Sequence, residues 1–389
     1  MNRAILVSVL LLSSIPIQAA TWHVTKDGSG DFSVIQDAVD GASDGDTIVI
    51  GAGRFDDFTL HAFGKVHVWL DGTKSLSFIG AGAEATFIGP ETFHAGWDVF
   101  GFKCEEGGVD LHLEGMTIQH IKGYGLRARQ ASINLVDCVF DRCYDAVNVR
   151  GPADHLVSTG CRFLSGEDWT SNAGGLWARD VDIHVVDTEF VIHGSGLKVT
   201  GPRTDSLISN CTFAGVHGIG GGVSLQGGAD VLVENCQFTD LGVYGISVYH
   251  SGEVILRDNH IRRCSNDGVA IYGSTQLTMH GNIVEECGQC LWVGGPCDHQ
   301  AIHDNHFLRN VSEDGRYAWT NTYDPLGHHY LDFTMNYWGT TNVEEIADWI
   351  TDGNDSPDIN LYIEFEPMAD GPVQVKSHSL SRIKTLFTD

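Results

Sequence analysis

One repeated pattern constrains this chain more than any other feature. Between Val109 and Phe307 a similar stretch recurs nine times, at a spacing of about 22 to 25 residues, which is typical of stacked-repeat architectures. Each unit ends on an apolar anchor residue, and the anchors are Ile118, Phe140, Phe163, Phe190, Phe213, Phe238, Ile261, Val284 and Phe307. Most units carry a second short run shortly afterwards, and these runs read GLRA, AVNV, GLWA, GLKV, GVSL, GISV, GVAI and CLWV.

The two runs of each unit alternate apolar and polar residues, which is the period of a β-strand rather than of a helix. A single unit cannot bury its apolar face, so the units must stack, with a core that runs lengthwise through them. The pattern therefore predicts an all-β fold, a single-stranded parallel β-helix. We expect each coil to contain a strand, a short loop, a second strand and a turn.

The position two residues before each anchor supports this register. It is occupied by Met116, Cys138, Cys161, Thr188, Cys211 and Cys236, and then by Asn259, Asn282 and Asn305. Coils stack about 4.8 Å apart, so equivalent residues form ladders. Stacked Asn amides can hydrogen-bond from coil to coil, which predicts an Asn ladder inside the C-terminal half.

Composition narrows the range of partners. The formal net charge of the 389-residue chain is −28, which argues against nucleic acid or anionic lipid as a general partner. Arg3, the apolar run Ala4 to Leu12 and the small residues up to Ala20 resemble an export signal, and the apolar run is too short to span a bilayer. We expect an exported, monomeric protein that is extracellular, on the cell surface or periplasmic.

The domain organisation follows from these signals. We expect a signal peptide over residues 1–20, a single β-helix domain over 21–370 and a tail over 371–389. Within the domain, residues 21–108 form the N-terminal cap and first coils, 109–330 the regular coils, and 331–370 the C-terminal cap. Ile35, Ala38, Val39 and Ala42 have helical spacing, which predicts a short capping helix. A second short helix is expected over Val343 to Ile350.

Ten cysteines in an exported chain raise the question of disulfides. The pairs Cys138/Cys161, Cys211/Cys236 and Cys264/Cys287 occupy equivalent positions on neighbouring coils, within disulfide range. Inward-pointing Cys also behaves as a small buried hydrophobe, and we interpret these pairs as reduced ladders. Cys290 and Cys297 flank a turn and are the best candidates for a disulfide bond.

Several motifs resemble known families. The segments Asp27-Gly28-Ser29-Gly30-Asp31-Phe32, Ile35-Gln36 and Gly45-Asp46-Thr47-Ile48, with Gly53, resemble the entry segment of the pectin lyase-like superfamily, especially of pectin methylesterases. The coil pattern and the ending YWGTTNVEEIADWI resemble right-handed β-helix repeat proteins of bacterial envelopes, including the accessory protein for nitrous oxide reductase copper insertion. The resemblance implies a right-handed coil. The catalytic motifs of pectin methylesterases and polygalacturonases are not found, so their chemistry does not transfer.

Two rows of outward positions carry the candidate site. The second strands of successive coils align Arg127, Asn148, Trp177, Lys198, Ser224, Ser247, Ala270 and Trp292, and beside them Arg129, Arg150, Arg179, Thr200, Gln226, Tyr249, Tyr272 and Gly294. We call the five cations Arg127, Arg129, Arg150, Arg179 and Lys198 the basic strip. Cations spaced about 5 Å apart suit a linear polyanion, and Trp177 offers a flat face to sugars.

These rows predict a protein that binds an acidic polysaccharide, with Arg127, Arg129, Asn148, Trp177 and Arg179 as binding residues. The loop from Gly166 to Gly175 is expected to bring Asp168 and Trp169 to the same ligand. Lyases of the resembling fold use Arg or Lys for β-elimination on uronates, so the resemblance implies Lys198 and Arg150 as catalytic candidates. Hydrolysis would instead need two facing carboxylates, such as Asp145 and Asp168.

Other interpretations stay open on the sequence alone. The strip cations can pair with nearby acids such as Asp137, Asp145, Asp180 and Asp182, and only keep the surface soluble. The chain is then a non-catalytic adhesion or structural module whose solenoid is a spacer. No metal-ligand spacing is found among the His residues, and no cofactor is expected. Asp352, Asn354 and Asp355 form either a Ca²⁺ site or an acidic capping loop.

Overall fold

The computed structural model describes residues 19–93, 99–105, 107–151, 155–165, 174–201, 205–216, 219–273, 276–295, 300–308, 317–320 and 327–372. Two short helices, α1 (Ile35–Gly41) and α2 (Val343–Trp349), accompany three long sheets. The predicted export signal lies outside the described residues except for Ala19 and Ala20, and so does the tail beyond Pro372.

The three sheets run the length of the solenoid. The first sheet contains Thr21–Val24, Thr47–Ile50, Leu76–Gly80, Asp110–Glu114, Ser132–Val136, His155–Thr159, Asp182–Val186, Ser206–Ser209, Val231–Glu234, Glu253–Arg257, Gln276–His280, Gln300–Ile302, His329–Asp332 and Leu361–Glu364. The second sheet contains Gly53–Phe55, Thr86–Ile88, Thr117–Gln119, Val139–Asp141, Arg162–Leu164, Glu189–Ile192, Thr212–Gly215, Gln237–Thr239, His260–Arg262, Ile283–Glu285 and His306–Leu308. The third sheet contains Thr59–His61, Gly64–Leu70, Val99–Cys104, Tyr124–Arg129, Asp145–Arg150, Gly174–Arg179, Ser195–Thr200, Gly221–Gln226, Tyr244–Tyr249, Asp267–Tyr272, Gln289–Gly294, Ala318–Thr320 and Ile350–Thr351.

The coil has three strands, so the prediction of two strands per coil was wrong. The first predicted run of each unit bends between the first and second sheets, at a residue in the left-handed backbone region, for example Asp137 (φ 49°), Asn210 (φ 56°) and Asp258 (φ 54°). Asp, Asn and Gly tolerate this conformation better than other residues. The bend splits one apparent strand into two. Buried residues alternate on either side of the bend, but across it they are three residues apart, as Leu135 and Cys138 are.

The predicted columns of like residues are confirmed inside the tube. Phe140, Phe163, Phe190, Phe213 and Phe238 stack with ring centroids 4.6–5.2 Å apart and nearly parallel planes. Asn259, Asn282 and Asn305 are fully buried, and each side-chain amide donates to the next Asn oxygen, with Asn336 as a fourth member. The core is therefore one continuous apolar column with a polar spine.

Nine cysteines lie among the described residues, and all nine are buried free thiols, as reduced ladders require. The predicted disulfide bond between Cys290 and Cys297 was wrong, because Cys290 is a free thiol. Cys297 itself lies outside the described residues. Cys290 occupies the inward position that is Gly268 in the preceding coil, and its Sγ lies 3.6 Å from the carbonyl oxygen of Val284. Its side chain therefore points into the core rather than towards the turn.

Both predicted capping helices are present. Buried Ile35, Ala38 and Val39 join α1 to the core at the N-terminal end, and Ile346 does the same for α2 at the C-terminal end. Among the described helices none is long and apolar enough to cross a membrane.

Candidate functional site

The outer face of the third sheet carries the two predicted rows in the predicted register. Arg127 pairs with Asn148, Asn148 with Trp177, and Trp177 with Lys198. In the neighbouring row Arg129 pairs with Arg150, and Arg150 with Arg179. Side chains that are distant in the sequence thus become neighbours at the strand spacing, because the coils stack without a shift in phase.

Three of these cations lie around the indole ring of Trp177. The guanidinium carbons of Arg150 and Arg179 lie 4.9 Å and 5.6 Å from the ring centroid, and Lys198 Nζ lies 5.2 Å from it. Such distances are typical of cation–π contacts, which hold the charged groups in place without neutralising them. Arg127 is held in the same way by Tyr124, at 4.9 Å.

Asn148 faces outward, as predicted, but only 1% of it is exposed. Arg150 Nε donates a 3.0 Å hydrogen bond to its Oδ1. Asn148 therefore supports Arg150, and its side chain presents little surface to a ligand. Its expected role as a binding residue stays a prediction. The buried nitrogens Asn148 Nδ2 and Trp177 Nε1 have no hydrogen-bond partner among the described residues.

Lys103 extends the basic strip by one coil towards the N-terminal end, since it pairs in register with Arg127. Lys103 forms an ion pair with Glu105 and lies 3.8 Å from the ring centroid of Phe63. These residues line a cleft of about 470 Å³ together with Phe100, Cys104, Arg127 and Arg129. The strip thus ends in a cleft that is bounded by an aromatic side chain on the hairpin between Thr59 and Leu70.

The cations of the strip repel one another. Burial lowers the pKa of Arg150, and the charges of Arg127 and Arg179 lower it further. Burial likewise lowers the pKa of Lys103, with additional contributions from Arg127 and Arg129. This mutual repulsion is an energetic cost that a bound anion would relieve.

Asp145 lies in a third outward row, at the start of the strand that ends with Arg150. Burial raises the pKa of this carboxyl to about 6, although Arg150 and Arg127 act in the opposite direction. A carboxyl that titrates near neutral pH beside cations is a feature of many functional sites. The sequence named Asp145 only as an ion-pair partner or as one of two facing carboxylates.

The interpretation that the strip cations are paired with nearby acids receives little support. Within the part of the chain that the structure describes, Arg127, Arg150, Arg179 and Lys198 have no carboxylate within 4.0 Å. Asp145 interacts with Arg150 through space without an ion pair. Asp168 and Trp169 lie outside the described residues, so their expected position beside the strip stays a prediction.

The carboxylates of Asp352 and Asp355 accept hydrogen bonds from the backbone of their own loop and of the final strand. Asp352 is 3% exposed, and its carboxylate accepts hydrogen bonds from the backbone N–H groups of Asn354 and Ile363, each at 2.8 Å. Asp355 accepts in turn from the Asp352 N–H at 3.0 Å. These hydrogen bonds suit an acidic capping loop, and a Ca²⁺ site at these residues stays a prediction. No cluster of three or more metal-ligating side chains occurs within the described ranges.

Lys103, Tyr124 and Phe63 are site residues that the sequence reasoning missed. The strand VFGFKC, which contains Lys103, precedes the regular repeats and carries Phe at two positions. Its register with GLRA was the available signal, since Lys103 aligns with Arg127 once Phe102 is set opposite Leu126.

Comparison with known proteins agrees with this architecture. A family model described as a right handed beta helix region matches residues 159–310. The catalytic domain of a GH87 alpha-1,3-glucanase in complex with tetrasaccharides superposes with a TM-score of 0.58 at 11% identity, covering 92% of this chain and 70% of that one. A double mutant of the periplasmic alginate epimerase AlgG gives 0.49 at 10% identity, covering 83% and 77%. Pectate lyase Pel9A gives 0.44 at 10% identity, covering 93% and 82%.

No curated protein sequence matches the chain. The parallel strand order and the family match define the fold: the chain is a right-handed parallel β-helix. The fold class and the handedness expected from the sequence are thereby confirmed.

Proposed function

We propose that the protein binds an acidic polysaccharide along the basic strip. The observation that carries the proposal is the arrangement of Arg150, Arg179 and Lys198 around Trp177, without a carboxylate partner in the described structure, on a chain of net charge −28. Concentrated positive charge against a negative background attracts and steers anions. The indole supplies an apolar face beside them, so the ligand combines regular negative charge with apolar ring faces.

A polymer of uronic acids or sulfated sugars has this combination. Its anionic groups recur along the chain, and the coils of the strip recur about every 4.8 Å. Arginine forks suit carboxylate and sulfate geometry. A glucanase of similar fold binds tetrasaccharides, which supports a saccharide as the ligand. Export to the cell exterior or periplasm would give the protein access to such polymers.

The chemistry that we propose on a bound uronate is β-elimination. Arg179 and Lys198 neutralise the carboxylate and acidify the C5 proton, and Arg150 takes that proton as the base. The C4–O glycosidic bond then breaks, its electron pair leaves with the oxygen, which takes a proton from water, and a C4=C5 double bond forms. The lowered pKa of Arg150 favours this role, because a base must be deprotonated to act.

Incubation with alginate, pectate and sulfated glycans tests both parts of the proposal. Retention of the protein in gels that contain each polymer measures binding, and absorbance by unsaturated uronates measures elimination. Arg150→Ala should weaken retention by about tenfold, which corresponds to the loss of a charge-assisted contact. The matched control is Arg162→Ala, which removes an arginine of the second sheet that pairs with Glu84.

The outcomes separate the alternatives. Equal losses in Arg150→Ala and Arg162→Ala would show that the effect is only one of net charge. Retention without unsaturated product would leave a binding protein and remove the lyase chemistry. No retention on any polyanion would leave the spacer or adhesion module. Product that survives Arg150→Ala but not Lys198→Ala would make Lys198 the base.

A further inference from the structure

The same sheet face changes character beyond Lys198. The next four strands read GGVSLQ, YGISVY, DGVAIY and QCLWVG, and contain neither Lys nor Arg. Ser224, Ser247 and Ala270 continue the row of Lys198 in register, while Gln226, Tyr249 and Tyr272 continue the row of Arg179 and Thr200. The cationic surface is thus followed by an uncharged aromatic one on the same continuous sheet.

This second surface is a groove with a narrow floor. Ser247 and Ala270 are only 8% and 3% exposed, whereas Tyr249 and Tyr272 beside them are 45% and 38% exposed. On the other side of the floor lie Tyr244 and Asp267, which pair with each other in register. We call Tyr244, Tyr249, Asp267, Tyr272 and Trp292 the aromatic groove.

Trp292 lies on the strand after Tyr272 and pairs in register with Trp319 of the following strand. Its ring lies over Gly294, where any Cβ would collide with the indole. This position brings Trp292 against Tyr272, with ring centroids 4.0 Å apart and an interplanar angle of 41°. Tyr249 extends the aromatic series, with its ring centroid 5.4 Å from that of Tyr272. Packing of this kind fixes the rings before a ligand arrives, which lowers the entropic cost of binding.

Polar groups opposite the rings have no partners in the described structure. The Asp267 carboxylate makes no hydrogen bond or ion pair there, and burial alone raises its pKa to about 6. Gln289 follows Asp267 in the same row, and its buried Oε1 has no hydrogen-bond partner. Buried polar atoms that lack partners are uncommon and call for an explanation, of which a ligand hydroxyl is one.

We propose that the aromatic groove is a second saccharide site, specific for neutral sugar rings. The apolar face of a pyranose packs on Tyr249 and Tyr272, and its hydroxyls bond to Asp267 and Gln289. An anionic sugar is disfavoured because no cation faces the groove among the described residues and Asp267 contributes negative charge when ionised. The site spans the third to the fifth coil after that of Trp177. Its central strand, with Tyr272, is thus roughly 19 Å away at the strand spacing.

Calorimetric titration with neutral oligosaccharides tests this proposal, with hexaoses of glucose, mannose, galactose and xylose as probes. We expect at least one to bind the wild-type protein, and Tyr272→Ala to weaken that binding by about tenfold, through the loss of one stacking contact. Tyr272→Phe should retain most of the affinity. The matched control is Tyr330→Ala, which removes an exposed tyrosine of the first sheet near the C-terminal cap.

Failure of this proposal is distinct from failure of the proposed function. Arg150→Ala should leave neutral binding unchanged, while Tyr272→Ala should leave retention on polyanions unchanged. Binding of none of the four hexaoses would overturn the aromatic groove as a neutral-sugar site. Equal loss in Tyr330→Ala and Tyr272→Ala would overturn it too. Thermal unfolding of each variant identifies any loss that comes from misfolding, and Tyr249→Ala then serves as the second test.

Discussion

At the scale of single residues, burial on the outer face of the third sheet shifts the pKa values of several side chains towards their uncharged forms. Asp145 begins one strand and Arg150 ends it, and burial raises the pKa of Asp145 and lowers the pKa of Arg150. Each change favours the uncharged form. Asp267 occupies the position of Asp145 five coils further on and shows the effect of burial without a nearby cation. It therefore offers the simplest test of this electrostatic reading.

Asp267→Asn should stabilise the protein above about pH 6 and have little effect near pH 4. The folded state holds the proton with a pKa of about 6, and the reference value is 3.8. Between these values the folded state binds more protons than the unfolded state, so stability falls as pH rises and the loss is complete above the folded pKa. We expect a gain of about 2 kcal/mol at neutral pH, after allowance for partial exposure.

Urea unfolding at several pH values measures this gain. Asp110→Asn is the control, because it removes an equal charge from an exposed end of a strand in the first sheet. A gain in Asp267→Asn that does not vary with pH would contradict the electrostatic explanation. So would an equal gain in the control.

Much of the site could be predicted at the residue scale, and the exceptions have physical causes. The alignment of Arg127, Arg150 and Lys198 follows from a constant coil period, which the anchors reveal. The burial of Asn148 depends on how Arg150 folds over it, and no spacing rule contains that information. The raised pKa values of Asp145 and Asp267 likewise depend on neighbours from other coils.

At the scale of elements, the starts of many strands in the third sheet leave no room for a side chain, although Ala146 and Cys290 occupy the same position in two other coils. Gly125, Gly175, Gly196, Gly222 and Gly245 all occupy one inward position, where a Cβ would meet the aromatic or aliphatic anchor column. At Gly222 it would lie 2.6 Å from Phe238 Cδ1 and also too close to the carbonyl oxygen of Gly245. The anchor side chains therefore occupy the space that a side chain at these glycine positions would need.

Gly222→Ala should destabilise the fold by about 3 kcal/mol, since the clash involves backbone and a packed ring. Gly371→Ala is the control, because nothing lies within 4 Å of its added methyl group. Thermal and urea unfolding of both variants measure the difference. Similar stabilities for the two variants would mean that the strand start can shift outward, and the rows on the outer face would then be less rigid than described.

The number of strands per coil was the main wrong prediction at this scale. It depended on a single residue in each coil, at which the chain bends from the first sheet to the second. Asp137 and Asn210 each shift the apolar alternation by a single residue, and the run around each was interpreted as one strand despite that shift. Only their left-handed backbone turns the chain into the second sheet. The residue types were visible in the sequence, but Asp and Asn also occur in continuous strands, and stacking of neighbouring coils selects the bend.

At the scale of the whole molecule, the solenoid places two chemically different surfaces on one face. The basic strip is an island in a chain of net charge −28, and the aromatic groove continues it without cations. Under the two proposals above, an acidic stretch of a polysaccharide would lie on the basic strip and a neutral stretch on the aromatic groove. Selection by charge and selection by ring stacking would then act at separate places on this face.

Ionic strength should separate the two surfaces in one protein. Salt at about 0.5 M shortens the screening length to a few ångström, so the affinity for alginate or a sulfated glycan should fall severalfold between about 0.05 and 0.5 M salt. Binding of a neutral hexaose on Tyr249 and Tyr272 should stay within about twofold over the same range, because stacking and burial do not depend on screening. Calorimetry or gel retention at several salt concentrations measures both. If the neutral ligand showed the same salt dependence as the polyanion, the two would share one electrostatic site, and the division of this face into a basic strip and an aromatic groove would fail.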